Sequence, residues 1–190
     1  MMNYAIFVVL ALALGIFNAL LIKENAECSP VRPSQGLGYS LFMAVIFSVV
    51  AWMGIIIGDL LMFPTDNDSH KTNKAIAVGL LIATAMLEIA PFIPKNRQRP
   101  MVDLSRFPGF CIRVVAQALY VMLSYIALGL VGAYVTSYWV AIFALSLTVF
   151  LLSWIGFMFG RQKVALRVRR WALLAFIFFV ADVVAIIFYS

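Results

Sequence analysis

Six stretches of nearly unbroken apolar residues divide this chain, over 3–22, 38–63, 74–93, 110–135, 138–160 and 171–189. A helix crossing about 30 Å of hydrocarbon needs about 20 mostly apolar residues, and each stretch is close to that length or longer. The breaks between them carry turn chemistry: Pro30 and Pro33, then Pro64 through Asp68, then Pro94 through Pro108. The fourth break, at Thr136-Ser137, is tight and makes spans four and five a hairpin. The pattern predicts an all-α polytopic membrane protein with six transmembrane helices. The first stretch has no Lys or Arg ahead of its apolar core, so it lacks a signal-peptide n-region. Asn25-Ala26-Glu27-Cys28 is a poor lipoprotein cleavage site, because a charged residue precedes the cysteine. The opening segment is therefore expected to stay in place as a helix.

A short signature occurs twice in the polar-and-apolar pattern. Trp52-Met53-Gly54-Ile55-Ile56-Ile57-Gly58 and Trp154-Ile155-Gly156-Phe157-Met158-Phe159-Gly160 both read W-x-G-x-x-x-G, 102 residues apart, and each closes a long apolar run. That spacing is about half the chain, and each half holds three spans. An odd number of spans turns the second copy upside down, so the expected architecture is two inverted three-helix repeats, as in many secondary transporters. The boundaries follow: residues 1–93 form the first repeat, 94–108 a linker and 109–190 the second. Glycines four apart let another helix approach closely, so Gly54, Gly58, Gly156 and Gly160 are expected at helix-packing surfaces, where the halves could rock.

Composition agrees with the span count. Apolar residues are 65% and charged residues 12%, with mean hydropathy +1.04, against roughly 45–50% and about 25% in soluble domains. The partner implied is the lipid bilayer, and a homo-oligomer is left open. The net charge of +6 is no nucleic-acid footprint, because the basic residues sit in short loops. The first, third and fifth loops hold Lys23, Arg32, Lys95, Arg97, Arg99, Arg106, Arg161, Lys163, Arg167, Arg169 and Arg170, whereas the second and its border hold Lys71 and Lys74 and the fourth none. Eleven against two puts the odd loops in the cytoplasm and both termini outside. Asp59 follows the first signature and Arg161 the second, which agrees with inversion. No nucleotide or cofactor motif occurs, and no soluble portion could hold an ATPase domain. Two cysteines, Cys28 and Cys111, support no disulfide framework.

Spans two and three, from Gly54-x-x-x-Gly58 to Glu88, and spans five and six, from Gly156-x-x-x-Gly160-Arg161 onward, resemble the bacterial manganese efflux pumps of the MntP type, within the LysE-like exporter group. The third span opens Asn73-Lys74-Ala75-Ile76-Ala77-Val78 and closes Met86-Leu87-Glu88, similar to that family's D-H-W-I-A-F opening and M-I-x-E close. The resemblance implies a small, duplicated, six-span exporter of the bacterial cytoplasmic (inner) membrane with both ends outside, and an acidic site position at Glu88. This chain departs from the family where the latter places aspartates in spans one and four. Here Leu14-Gly15-Ile16-Phe17-Asn18-Ala19 and Ser124-Tyr125-Ile126-Ala127 hold no acid. Asn18 offers an oxygen without charge, whereas hard divalent cations favour several oxygens with carboxylates among them. The fold expectation stands and manganese as cargo is weakened. Related thiol-electron carriers pair cysteines in spans one and four, but Cys28 lies beyond span one, so free thiols are expected.

Ionisable groups within a span cost about 2.5–3.5 kcal/mol at the helix centre on insertion scales and face an interior or a cavity. Asp182 stands close to the middle of span six, as a site acid or as one that holds helices together. Arg113, Gln117, Tyr120 and Ser124 follow one another at intervals of four, three and four in span four, on one helix face. That stripe should face the bundle, although Arg113 could equally reach back to the headgroups while the others make ordinary interhelical hydrogen bonds. Asp59 reads as a solvated helix-end acid. Asp66, Asp68 and His70 could catch a metal or form a plain polar loop.

Together these features predict a secondary transporter that exports a small cation or small metabolite by alternating access. Asp182, Asn18, Gln117, Tyr120 and Ser124 would form a midplane binding site, with Glu88 and Arg113 at its cytoplasmic end. Two other classes fit: a non-transporting structural or accessory membrane subunit, and a thiol-redox membrane protein. No enzyme triad or zinc-spaced cluster points to catalysis.

Overall fold

A computed structural model of the chain describes residues 2–29, 31–62, 67–93, 102–132 and 138–189. Its helices are α1 (Met2–Cys28), α2 (Pro33–Leu61), α3 (Asn67–Ile89), α4 (Phe107–Leu130), α5 (Tyr138–Arg161) and α6 (Val168–Tyr189), with a 3-10 turn over Ala90–Phe92 continuing α3. All six are long and apolar enough to cross a bilayer, and the described residues contain no strand. The protein is an all-α polytopic membrane protein.

The helices overrun or stop short of the apolar stretches for local reasons. α1 continues six residues past Ile22 because Lys23 pairs with Glu27 one turn on, and the Asn25 amide donates to the Leu21 carbonyl at 2.7 Å. α3 begins seven residues before Lys74. Pro91 has no N–H to continue the α pattern, so the backbone tightens to 3-10 at Ala90–Phe92. α4 ends at Leu130, five residues before Val135: Gly132 adopts φ 60° and its N–H bonds the Gly129 carbonyl at 2.9 Å. That left-handed conformation suits glycine and closes the helix. The expected tight turn at Thr136-Ser137 lies outside the described residues, as does most of the 94–108 linker.

The principal helix neighbours form a closed circuit: α1 on α5, α5 on α2, α2 on α4, α4 on α3, α3 on α6 and α6 on α1. Exchanging α1 with α4, α2 with α5 and α3 with α6 maps this circuit onto itself. The glycines give the correspondence residue by residue. A Cβ built on Gly54 would meet the Met122 carbonyl at 2.8 Å, and one on Gly156 the Ala19 carbonyl at 2.6 Å. A Cβ on Gly58 would lie 2.5 Å from the Ile126 carbonyl and 2.7 Å from Gly129 Cα, and one on Gly160 lies 2.5 Å from the Lys23 carbonyl and 2.7 Å from Ala26 Cβ. Positions 122, 126 and 129 each stand 103 residues after 19, 23 and 26. The two W-x-G-x-x-x-G surfaces therefore make the same contact twice, once on α4 and once on α1, at opposite ends of the bundle. Helix backbones this close admit no side chain between them.

None of the principal contacts joins two of the helices of one sequence half. The tightest crossings are α1 with α5 and α4 with α2, so α1 and α4 are exchanged between the halves. Grouped by these crossings, α1–α5–α6 and α4–α2–α3 form two units related by the exchange, and they meet over an extensive α2–α5 contact and a smaller α3–α6 one. The four signature glycines lie inside these units, where backbones lock together, and not on the boundary between them.

The three odd connections share one end of the bundle. Backbone N–H groups of Val102 and Leu104 donate to Asn25 Oδ1 at 2.9 Å and Ser29 Oγ at 3.0 Å, which ties the third connection to the end of α1. Arg161 and Lys163 line a groove with Ala26–Pro33 of the first connection. Asp103 accepts from the Ser105 hydroxyl at 2.6 Å and its N–H at 2.9 Å, and these donors hold its carboxyl below the usual aspartate range, with Arg106 nearby. We call this the basic end.

Candidate functional site along α4

α4 presents apolar residues outward and polar ones inward. Ile112, Val115 and Leu119 are exposed on its outer side, whereas Val114, Gln117, Val121, Ser124 and Tyr125 are buried. Of the four-residue stripe, Gln117 and Ser124 are buried and Arg113 and Tyr120 half-buried. The stripe does face the bundle, along a helix inclined to the boundary between the two units.

Glu88, the last inward-facing polar residue of α3, meets the start of this stripe. It is 1% exposed, with the Arg113 guanidinium as the opposing charge and the Gln117 amide beside it. Neither carboxylate oxygen completes a hydrogen bond. These three side chains gather near the basic end, on α3 and α4 of one unit. On the same face of α3, Thr84 is fully buried, but its hydroxyl is absorbed by the Leu80 carbonyl at 2.8 Å.

Asp182 of α6 is also 1% exposed and sits farther along, toward the end of α4. It lies close enough to the buried hydroxyl of Tyr125 to act on it electrostatically. Asp182 Oδ2, the Tyr125 hydroxyl and Ser124 Oγ all lack hydrogen-bond partners. Asp182 belongs to the α1–α5–α6 unit and Tyr125 to the other, so this pair lies across the boundary. Phe7 of α1 packs on the same tyrosine, with ring centroids 6.3 Å apart, and closes the apolar side. Tyr125 was not among the residues the stripe selected. A tyrosine deep in a membrane helix needs a partner for its hydroxyl, and that requirement was the signal available.

Asn18 does not join this site. Its amide donates to Ser153 Oγ on α5 at 2.8 Å and contacts Met43 Sδ on α2 at 3.7 Å, which turns it toward the α1–α5–α2 corner. Its neighbour Phe17 instead packs between Phe92 and Phe179, at 6.0 and 6.1 Å. Consecutive helix residues point about 100° apart, so the α3–α6 side of α1 is aromatic and its polar residue faces elsewhere. Ser153, masked in the sequence by the signature beside it, is the partner that fixes Asn18.

The remaining polar candidates lie apart. Asp59 is half-buried near the end of α2, and His70 is exposed in the first turns of α3. Asp66 and the Asp68 side chain fall outside the described residues. Cys28 is exposed, Cys111 half-buried, and both are free thiols. Among the described residues no three His, Cys, Asp or Glu side chains converge in a set that could hold a metal ion.

Set against protein-family models, characterised proteins and solved structures, the chain finds no match in any of the three.

Proposed function

We propose that the protein is a secondary transporter that moves a small cation along the boundary between its two exchanged units. The observation that carries this reading is the Asp182–Tyr125 pair. A carboxyl and a phenol, both buried and both short of hydrogen bonds, act on each other electrostatically from helices of different units. A buried polar atom left without a partner costs about 1–3 kcal/mol; Asn18 Oδ1 and both Glu88 oxygens carry that cost as well, but Asp182 and Tyr125 are the interacting pair drawn from different units. A site that must pick up and release an ion or proton keeps such valences open. Alternating access would come from α1–α5–α6 tilting against α4–α2–α3, with the glycine-locked crossings moving as rigid pieces.

The donor set argues for a cargo of low charge. Glu88 already faces the Arg113 guanidinium, whereas Asp182 acts on the neutral hydroxyl of Tyr125. One carboxylate with hydroxyls suits a proton or a monovalent cation better than a divalent ion, which takes several hard oxygens. The likeness to MntP-type pumps then supports an exporter built on the same plan with its manganese acids lost. We further propose the bacterial inner membrane as its location, with the basic end in the cytoplasm and both termini outside.

A second reading has its own observation. The Glu88–Arg113 pairing and the Asn18–Ser153 hydrogen bond hold helices together without any transport, as an accessory subunit would need. The two readings separate in cells lacking the protein: the transporter reading expects a measurable rise in the intracellular content of one cation, restored by the wild-type chain and not by Asp182→Asn. Unchanged ion content across a panel of alkali and divalent cations would favour the accessory subunit.

A further inference from the structure

α1 lies recessed between α5 and α6, and the three helices leave a crevice of about 250 Å³ on its lipid side near the basic end. Ala19 and Leu20 form the floor, Ile155 and Phe159 one wall and Trp171 the other, with Leu166 at the mouth. The one polar residue lining it, Lys23, has its ammonium engaged by Glu27. Water gains nothing in such a space, because it offers none of the two to four polar partners a buried water needs. Two of the lining residues, Ile155 of α5 and Trp171 of α6, are themselves exposed, so the crevice opens on the outside of the bundle.

The mouth is strongly basic. Leu166 is followed directly by Arg167, and Trp171 is preceded by Arg169 and Arg170, three exposed cations beside lining residues; the exposed Arg161 and Lys163 of the same connection line the neighbouring groove against the first connection. Among the described residues none of the five has an ion-pair partner, and Glu27, which lines a groove with Arg161 and Lys163, is paired with Lys23. The connection is folded back onto α5, with Lys163 N–H on the Gly160 carbonyl and Val164 N–H on the Phe159 carbonyl, both at 3.0 Å. Leu166 and Trp171 line the crevice, so the backbone that carries Arg167, Arg169 and Arg170 runs along its edge.

We propose that this crevice is a binding site for an anionic phospholipid: one acyl chain fills the apolar slot, and the phosphate is held by the Arg161–Arg170 connection. An apolar slot alone would accept any lipid, and a basic loop alone would accept any anion. The adjacency of the two selects a molecule that carries both. In the exchanged architecture the slot spans α1, α5 and α6, the whole of one unit, so an occupied site would brace that unit at one end. The site is independent of the transport reading.

Native mass spectrometry of the purified full chain, released from detergent with phosphatidylglycerol or phosphatidylcholine present, tests it. The wild type is expected to retain one phosphatidylglycerol at least about tenfold more than phosphatidylcholine, since each Lys or Arg near an anionic headgroup adds roughly 1 kcal/mol. Ile155→Trp, which fills the slot from its lipid-facing wall, should abolish that retention. Arg167→Gln with Arg170→Gln should bring phosphatidylglycerol down to the phosphatidylcholine level, and because both arginines are exposed this variant remains informative if the tryptophan variant does not insert. Arg106→Gln, exposed at the same end but away from the crevice, should change nothing. Equal retention of the two lipids, an equal loss in Arg106→Gln, or displacement of the lipid by millimolar inorganic phosphate would overturn the proposal, the last by showing a free-anion site.

Discussion

α1 and α4 hold equivalent places in the two halves, each pinned by a signature glycine pair of the other half's mate, yet their inner walls have diverged. With the correspondence of 103 residues fixed by the glycine contacts, Arg113, Gln117, Tyr120 and Ser124 of α4 stand where α1 has Leu10, Leu14, Phe17 and Leu21. All four α1 residues are buried apolar side chains. The converse also holds: the one polar residue on the inner part of α1, Asn18, stands where α4 has Val121. The backbone-to-backbone crossings tolerate nothing larger than glycine or alanine at their closest points, so both copies kept them. The walls facing the interior carry no such restriction, and polarity has collected on one of them. Both buried acids act on polar groups of α4: Glu88 of α3 on Arg113 and Gln117, and Asp182 of α6 on Tyr125.

That contrast separates scaffold from chemistry, and substitutions should separate them too. The largest effect belongs to the crossings. Gly58→Leu and Gly160→Leu drive a side chain into the facing backbone and should abolish accumulation of folded protein. Gly58→Ala, with its Cβ 2.5 Å from the Ile126 carbonyl, should cost about 1–3 kcal/mol by overpacking. Gly79, whose added Cβ meets nothing within 4 Å, is the matched control: Gly79→Ala should stabilise by about 0.5–1 kcal/mol through helix propensity. Thermal unfolding in detergent reads both. Equal destabilisation at Gly58 and Gly79 would remove the locked crossing from the account.

Next in size is the conversion of α4 toward α1. Arg113→Leu leaves Glu88 facing no cation and should destabilise by about 2 kcal/mol, less than the 3–5 of a fully buried pair because Arg113 is half-buried. Adding Glu88→Gln should recover most of that loss. If the double variant is as unstable as the single one, the two residues are not coupled. Asn18→Ala, on the apolar-walled helix, should cost about 1 kcal/mol for the hydrogen bond to Ser153 and leave any transport intact.

The smallest effect lies in the connection at the basic end. The Asp103 carboxyl is depressed in the folded protein by the Ser105 donors. Its contribution is therefore present above the unfolded value of about 3.9 and lost as pH falls through the lower folded value. Asp103→Asn should lower the thermal midpoint slightly at neutral pH, and the difference from wild type should vanish at the acid end. A difference that grows on acidification would reverse the sign of that linkage.

Much of this architecture was legible in the residues, and the exceptions share a physical cause. The number of spans follows from length and hydropathy, and the duplication follows from two glycine pairs. Which helix each glycine face meets does not follow, because Gly54 and Gly58 carry no mark of α4 as opposed to α1. The exchange of α1 and α4 is a property of the assembled circuit. Helix ends shifted where side chains supplied local bonds, as at Lys23–Glu27, or where Gly132 reversed the backbone. At the site, spacing put the α4 stripe on the bundle side, a lone charge within a span singled out Asp182, and the resemblance singled out Glu88; all of these but the half-buried Arg113 and Tyr120 are buried. Spacing could not give the direction of Asn18, since a lone polar residue defines no face, and it passed over Tyr125 because an aromatic among apolar neighbours reads as packing.

The central claim is that the boundary between the exchanged units, at Asp182 and Tyr125, carries ions. Purified protein in liposomes loaded with a pH-sensitive dye would be given pulses of alkali cations, with wild type, Asp182→Asn and Asn18→Ala side by side. The account predicts a cation-dependent pH change with wild type and with Asn18→Ala, and none with an equally well-inserted Asp182→Asn. Wild-type flux in the Asp182→Asn vesicles, or no flux in any vesicle for any cation, would contradict it.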